Sequence, residues 1–167
     1  MKTPNHYQAI YWSNQPLEQA AIEQLINNQF DRYLIVQIDR QSDYQNWMNQ
    51  NVTNFIIDAL KNHHQHYLLV LKDLDLVDYN HFIGDFDAFF DRDQSGFSQH
   101  PGLITNHNLY QALSTNQFDP HQFYLPPNLK IIATFCRNQE HQIPNWAFRK
   151  WDHLEFMNQK PTKTMIP

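Results

Sequence analysis

The feature that most limits what this chain can become is an unbroken apolar run, Tyr67-Leu68-Leu69-Val70-Leu71, closed by Lys72 and Asp73. A strand with one wet face alternates apolar and polar residues, whereas an unbroken run belongs to a strand covered on both faces. Such strands sit in parallel sheets with helices above and below. The rest of the sequence supplies the other parts in alternation. Short apolar strands read at 7–12, 33–38, 129–135 and 153–156. Helical spacing reads over 17–27 through Leu17, Ala20, Ala21, Leu25 and Ile26, and over 52–60 through Val52, Phe55, Ile56 and Leu60. Residues 79–90 predict a further helix with an aromatic stripe, Phe82, Phe86, Phe89 and Phe90, read as core. Residues 144–150 read as a short helical turn. Residues 91–122 are polar and read as irregular, an insertion or functional loop. The expectation is an α/β fold: a three-layer parallel sheet of about five strands with helices on both faces. It spans residues 1–158, followed by a tail at 159–167.

Composition narrows the function. The chain has 167 residues, 41% of them hydrophobic and 14% aromatic, enough to fill a core. Asn and Gln make up about a fifth of it, scattered rather than run together, and read as surface and loop filler. The net charge is −5, and the acid lies upstream of residue 130 while the remainder is mildly basic. That balance disfavours nucleic acid as a partner, except through the tail. No apolar run approaches the roughly 18 residues of a membrane span, and no secretory apolar segment follows the first residues. The single cysteine, Cys136, forbids an internal disulfide. The expected place is therefore the cytoplasm, with no membrane association.

Several constellations invite a chemical reading. Asp91-Arg92-Asp93-Gln94-Ser95-Gly96 matches the first half of a calcium loop, but the position that should hold a bidentate glutamate is Gly102, so it reads as a polar turn. His63, His64 and His66 are neighbours just ahead of a strand, where successive side chains diverge, and no Cys or carboxylate stands at a metal-ligand spacing from them. No metal site is expected. Cys136 has no local signature of a nucleophile and reads as a buried thiol.

Three segments, in order, resemble one family. Tyr67-Leu-Leu-Val-Leu-Lys72-Asp73-Leu-Asp75 followed by an aromatic helix resembles the Walker B strand of AAA+ ATPases, most of all the methylcytosine-restriction GTPase subunits. Leu125-Pro126-Pro127-Asn128 followed by Leu129–Thr134 resembles the lead-in and strand of sensor 1. Ala147-Phe148-Arg149-Lys150-Trp151 running into His153–Phe156 resembles the arginine-finger helix and the last core strand. The resemblance covers about residues 66–156, and strand, loop, helix and strand over 7–38 fit the front of the same fold. It implies a P-loop NTPase-like core. Because the sequence ends soon after the last strand, the expectation is a core without its helical lid.

The residues that the chemistry needs are not the ones present. A phosphate loop wraps phosphates with glycine-rich backbone, a lysine and a Ser/Thr for Mg²⁺. The matching stretch, Trp12-Ser13-Asn14-Gln15-Pro16-Leu17-Glu18-Gln19, has neither glycine nor lysine; the chain's three glycines are Gly84, Gly96 and Gly102. Pro16 lacks an N–H, and Glu18 suits a helix N-terminus but repels phosphate. Lys72 stands where the resemblance puts the Mg²⁺-associated aspartate, and Asp73 where it puts the catalytic glutamate. After the sensor 1 strand the polar residue falls at Cys136, with Asn138 two positions on. Ser13, Asn14, Glu18, Lys72 and Asp73 therefore mark a degenerate nucleotide position. Asp73 is the one catalytic candidate, with a cap of the following turn as its plainer role. Arg149, Lys150 and Trp151 mark the implied subunit interface. The expected function is a non-catalytic, regulatory or binding module that contacts other proteins, with AAA+ subunits among the candidates, and no cofactor. The alternatives are a divergent ATP/GTP-binding NTPase using Ser13, Asp73 and Arg149, and a clamp-loader-like nucleic-acid accessory subunit.

Overall fold

A computed structural model describes residues 6–26, 28–137 and 144–157. Five strands form one parallel sheet: β1 (Gln8–Ser13), β2 (Arg32–Gln37), β3 (Tyr67–Lys72), β4 (Leu129–Cys136) and β5 (His153–Phe156). Their spatial order is β2-β3-β4-β1-β5. The helices are α1 (Gln19–Ile26), α2 (Tyr44–Trp47), α3 (Gln50–Lys61), α4 (Tyr79–Ile83) and α5 (His107–Thr115), with 3₁₀ turns at Leu74–Leu76, Gly84–Phe90 and Asn145–Phe148. Residue 138 and the tail at 159–167 lie outside the described residues.

The order explains the layers. The connection from β1 to β2 crosses the sheet in one direction; those from β2 to β3, β3 to β4 and β4 to β5 run in the other. Parallel crossovers share one hand, so opposite directions cover opposite faces. One face holds Ala9, Tyr11, Leu68, Val70 and Ile132 beneath Leu17, Ile22 and Ile26 from α1 and its approach. The other holds Ile10, Leu69, Leu71, Ile131 and Ala133 beneath α2 to α5 and the aromatic residues. Tyr67 to Leu71 are all buried, as the unbroken run requires.

Two expectations about elements need correction. Residues 79–90 do not form one α-helix. It stops at Gly84, whose φ of 56° is left-handed, and continues as a 3₁₀ turn. A Cβ at Gly84 would stand 2.3 Å from the Tyr44 ring, so only glycine lets that ring lie against the turn. The phenylalanine stripe survives the break: Phe82, Phe86, Phe89 and Phe90 are all buried. Residues 91–122 are not wholly irregular either, for they contain α5. Asn106 caps it by accepting the Leu109 N–H at 3.0 Å, and the same buried amide donates to the Tyr44 carbonyl at 2.8 Å, joining α5 to α2.

Two polar side chains bind the loops to the sheet. The amide nitrogen of Asn128, which ends the Leu-Pro-Pro-Asn lead-in, donates toward the carbonyls of Ala59, Asn62 and Gln65 at 2.9 to 3.0 Å, closing the end of α3 onto β4. The Arg92 guanidinium donates to Gln8 Oε1 and to the carbonyls of Gly96, Pro126 and Leu129 at 2.7 to 3.0 Å. Burial pushes its pKa down to about 9, and these acceptors compensate the buried charge. The calcium-like stretch is a tight turn: the Asp93 carboxylate accepts the N–H groups of Ser95 and Phe97 at 2.8 and 3.1 Å.

Candidate functional site

In open parallel sheets ligands settle beyond the carboxyl ends of the strands, where neighbouring connections diverge. Here that place is the junction of β1 and β4, whose onward connections run in opposite directions across the sheet. A cavity of about 500 Å³ opens there, lined by Pro16, Arg40, Asp73, Asp75, Leu76, Cys136 and Arg137. It gathers the loops after β1 and β2, the turn after β3 and the end of β4, four segments distant in sequence.

Each carboxylate in it already has a partner. Asp73 is left-handed, with φ 64° and ψ 44°, a conformation Asp tolerates better than most residues. Its N–H donates to Thr134 Oγ1 at 2.9 Å, and its carboxylate accepts from Gln37 Nε2 at 2.9 Å. Both carboxylate oxygens of Asp75 accept the Cys136 N–H, at 3.2 and 3.3 Å, and Oδ2 lies 3.5 Å from Arg137 Nε. That ion pair lacks hydrogen-bond geometry, since Arg137 Nε has no hydrogen-bond partner. Burial pushes the Asp75 carboxyl above its ordinary value, and the Cys136 N–H and Arg137 offset part of this. The Cys136 thiol is also pushed up, by burial first and then by Asp75 and Asp73, which keeps it protonated rather than nucleophilic.

The loop after β1 is built from its own side chains. Ser13 is buried; its hydroxyl donates to the Gln15 carbonyl and its carbonyl accepts the Arg137 N–H at 2.7 Å. Asn14 and Glu18 are exposed, and α1 starts immediately after Glu18. Lys72 ends β3 on the α1 side of the sheet, by alternation with Leu68 and Val70. No carboxylate lies within ion-pair distance of its ammonium among the described residues. The structure thus brings Ser13, Lys72 and Asp73 to one edge, with Asn14 and Glu18 on the loop beside them.

Arg149, Lys150 and Trp151 have different fates. Trp151 is 5% exposed, donates toward Tyr79 Oη at 3.4 Å and packs edge-on to Phe90. Lys150 Nζ pairs with Asp87 Oδ2 at 3.0 Å, and the Tyr79 hydroxyl donates to the same carboxylate at 2.6 Å. Tyr79 in turn stacks on Trp146 at 3.7 Å. Trp151 is therefore core and Lys150 half-buried, while Arg149 alone of the three is exposed.

Sequence reasoning missed Arg40, Leu76 and Arg137. Arg137 follows directly after the carboxyl end of β4 and Arg40 lies three residues beyond that of β2, and this nearness to strand ends was the available signal. His63, His64 and His66 are exposed on the turn before β3, and no group of three or more metal-binding side chains exists among the described residues. No helix there is long and apolar enough to cross a membrane. No protein-family model matches the chain, and no curated protein matches it.

Proposed function

We propose that this chain is a non-catalytic binding module on an AAA+-like P-loop layout, acting through contacts with other proteins. Support for the layout comes from the sheet: β3, β4 and β1 are adjacent, so the segments likened to Walker B, sensor 1 and the phosphate loop end side by side. The observation that carries the loss of catalysis is the state of that edge. Ser13 Oγ, Asp73 and Asp75 are engaged within the chain, and Lys72 puts an ammonium where a metal-bound nucleotide needs a carboxylate. At roughly 4 Å and surface-like screening, one such charge contact amounts to several kcal/mol, and lysine reverses its sign.

A thermal-shift titration tests this reading. ATP or GTP with Mg²⁺ is expected to leave the melting temperature unchanged. A ligand at 100 times its Kd would add about 2.7 kcal/mol, a readily measured shift. One observation favours the alternative of a divergent nucleotide site, the two arginines Arg40 and Arg137 in the same cavity. A saturable shift abolished by Arg137→Ala would establish that alternative. For the partner surface, Arg149 is the exposed residue of its segment, and arginine is among the side chains that dominate interfaces. Arg149→Glu is expected to reduce capture of a partner at unchanged stability.

A further inference from the structure

The two edges of the sheet are not equally guarded. β5 has four residues, with His153 and Glu155 among them. β2 has six, with Tyr33-Leu34-Ile35-Val36 in its middle and an unbroken register against β3. Folded proteins protect long edges with charges, proline, bulges or a covering element, and the middle of β2 has none of the first three. The ladder fixes which backbone groups are open. Arg32 N–H donates to the His66 carbonyl at 3.2 Å and Ile38 N–H to the Lys72 carbonyl at 3.0 Å. In a parallel pair alternate residues bond to the same neighbour. Residues 32, 34, 36 and 38 therefore face β3, while the N–H and C=O groups of Tyr33, Ile35 and Gln37 face away from the sheet.

A cleft flanks this edge on each face. The one toward α3 is about 710 Å³; Leu34, Phe55 and Ile57 line it together with two carboxylates, Asp31 and Asp58, and two cations, Arg32 and Lys61. The one toward α1 is about 420 Å³, and Glu23 is the only charged residue lining it, beside Ala20, Gln24 and the half-exposed Tyr33. We propose that the β2 edge is a docking site for an extended segment of a partner protein with alternating basic and aliphatic side chains. The segment adds as a further strand against Tyr33, Ile35 and Gln37. Its side chains then alternate between the faces: basic ones enter the α1 cleft, where Glu23 carries a charge with no cation beside it in the lining, and aliphatic ones cover Leu34 and Phe55 on the α3 side, where the paired signs of Asp31, Asp58, Arg32 and Lys61 leave no net charge to attract a base. The acid excess upstream of residue 130 favours such a segment at long range. The proposal rests on the protein-contact reading and names the chemistry of one partner.

The test uses a labelled hexapeptide of alternating lysine and valine, titrated with the full chain by fluorescence anisotropy. Two controls are the same peptide N-methylated at every second residue, and a lysine-block, valine-block isomer of equal charge. Saturable binding of the first probe alone is expected. Tyr33→Pro removes one outward N–H and no ladder bond, a place where an edge strand accepts proline. It should weaken binding about tenfold or more. Glu23→Gln, which leaves the backbone untouched, should weaken binding and flatten its salt dependence, so the test stands even if the proline variant misfolds. Equal binding of either control, unchanged affinity of both variants, or self-association of the chain through this edge would overturn the proposal. Those results leave the nucleotide titration unaffected, so failure here and failure of the functional reading remain distinguishable.

Discussion

At the scale of single residues, Asp75 decides how the carboxyl edge responds to acid. Its side chain is 6% exposed and bridges the β3 turn to the Cys136 N–H at the end of β4. Its folded pKa lies above its ordinary 3.8, so the unfolded chain gives up this proton first as pH rises. Between those two values the folded state binds more protons, and this group's contribution to stability falls with rising pH. Asp75→Asn keeps an acceptor for Cys136 and removes the titration. Its stability relative to the parent is therefore expected to improve as pH rises from about 3.8, measured by urea unfolding at a series of pH values. A constant difference across the series would show that the carboxyl does not titrate this way. Arg92, Asn128 and Asn106 are the other residues on which the loops hang, and composition offered no sign of them. Polar residues that bond to backbone carbonyls look in a sequence like the surface filler around them.

At the scale of elements, the strands were legible and the third layer was less so. β3 announced itself because burial on both faces leaves an unbroken apolar run, and β5 was found at its exact bounds, His153–Phe156. α5 was missed because it buries only Leu109 and Leu113, one turn apart, among Asn, Gln, Ser and Thr. The break at Gly84 was missed because its cause is the Tyr44 ring, forty residues away. The site was legible to the extent that it lies at strand ends. Ser13, Lys72 and Asp73 could be placed from the strand pattern, whereas the internal bonds that engage Ser13 and Asp73 belong to side-chain geometry alone. Asn106 supplies an element-scale test. Asn106→Ala removes the α5 cap and orphans the Tyr44 carbonyl, at an expected cost of about 2 to 3 kcal/mol. Asn106→Ser keeps a capping acceptor and loses the donor to Tyr44 without burying a charge, so it should cost less. Equal effects in chemical denaturation would assign the whole loss to the link with α2.

At the scale of the whole molecule, Leu69 lies midway along β3, an interior strand with a neighbour on each side, and is fully buried. Leu69→Asp puts an unpaired charge between two layers and is expected to abolish cooperative unfolding, as followed by circular dichroism and melting. A folded variant would show that β3 is not central. The charge distribution gives another outcome: with 17 acidic against 12 basic residues, labelled duplex DNA should not bind measurably at about 150 mM salt. Tight binding that collapses as salt is added would favour the nucleic-acid alternative. The strand order also has a bearing on how the molecule is made. β1 leaves the ribosome ahead of the other strands of this sheet, yet its two neighbours pair Gln8 with Ile131 and Ala9 with His153. Its edges therefore wait, unpaired, until β4 and β5, more than a hundred residues further on, have been synthesised. The parallel β2–β3 unit, by contrast, has both strands and the helices that cross between them together within a few dozen residues. Folding that depends on such distant pairings is slow, and the waiting strand is the segment that a chaperone would be called on to shield.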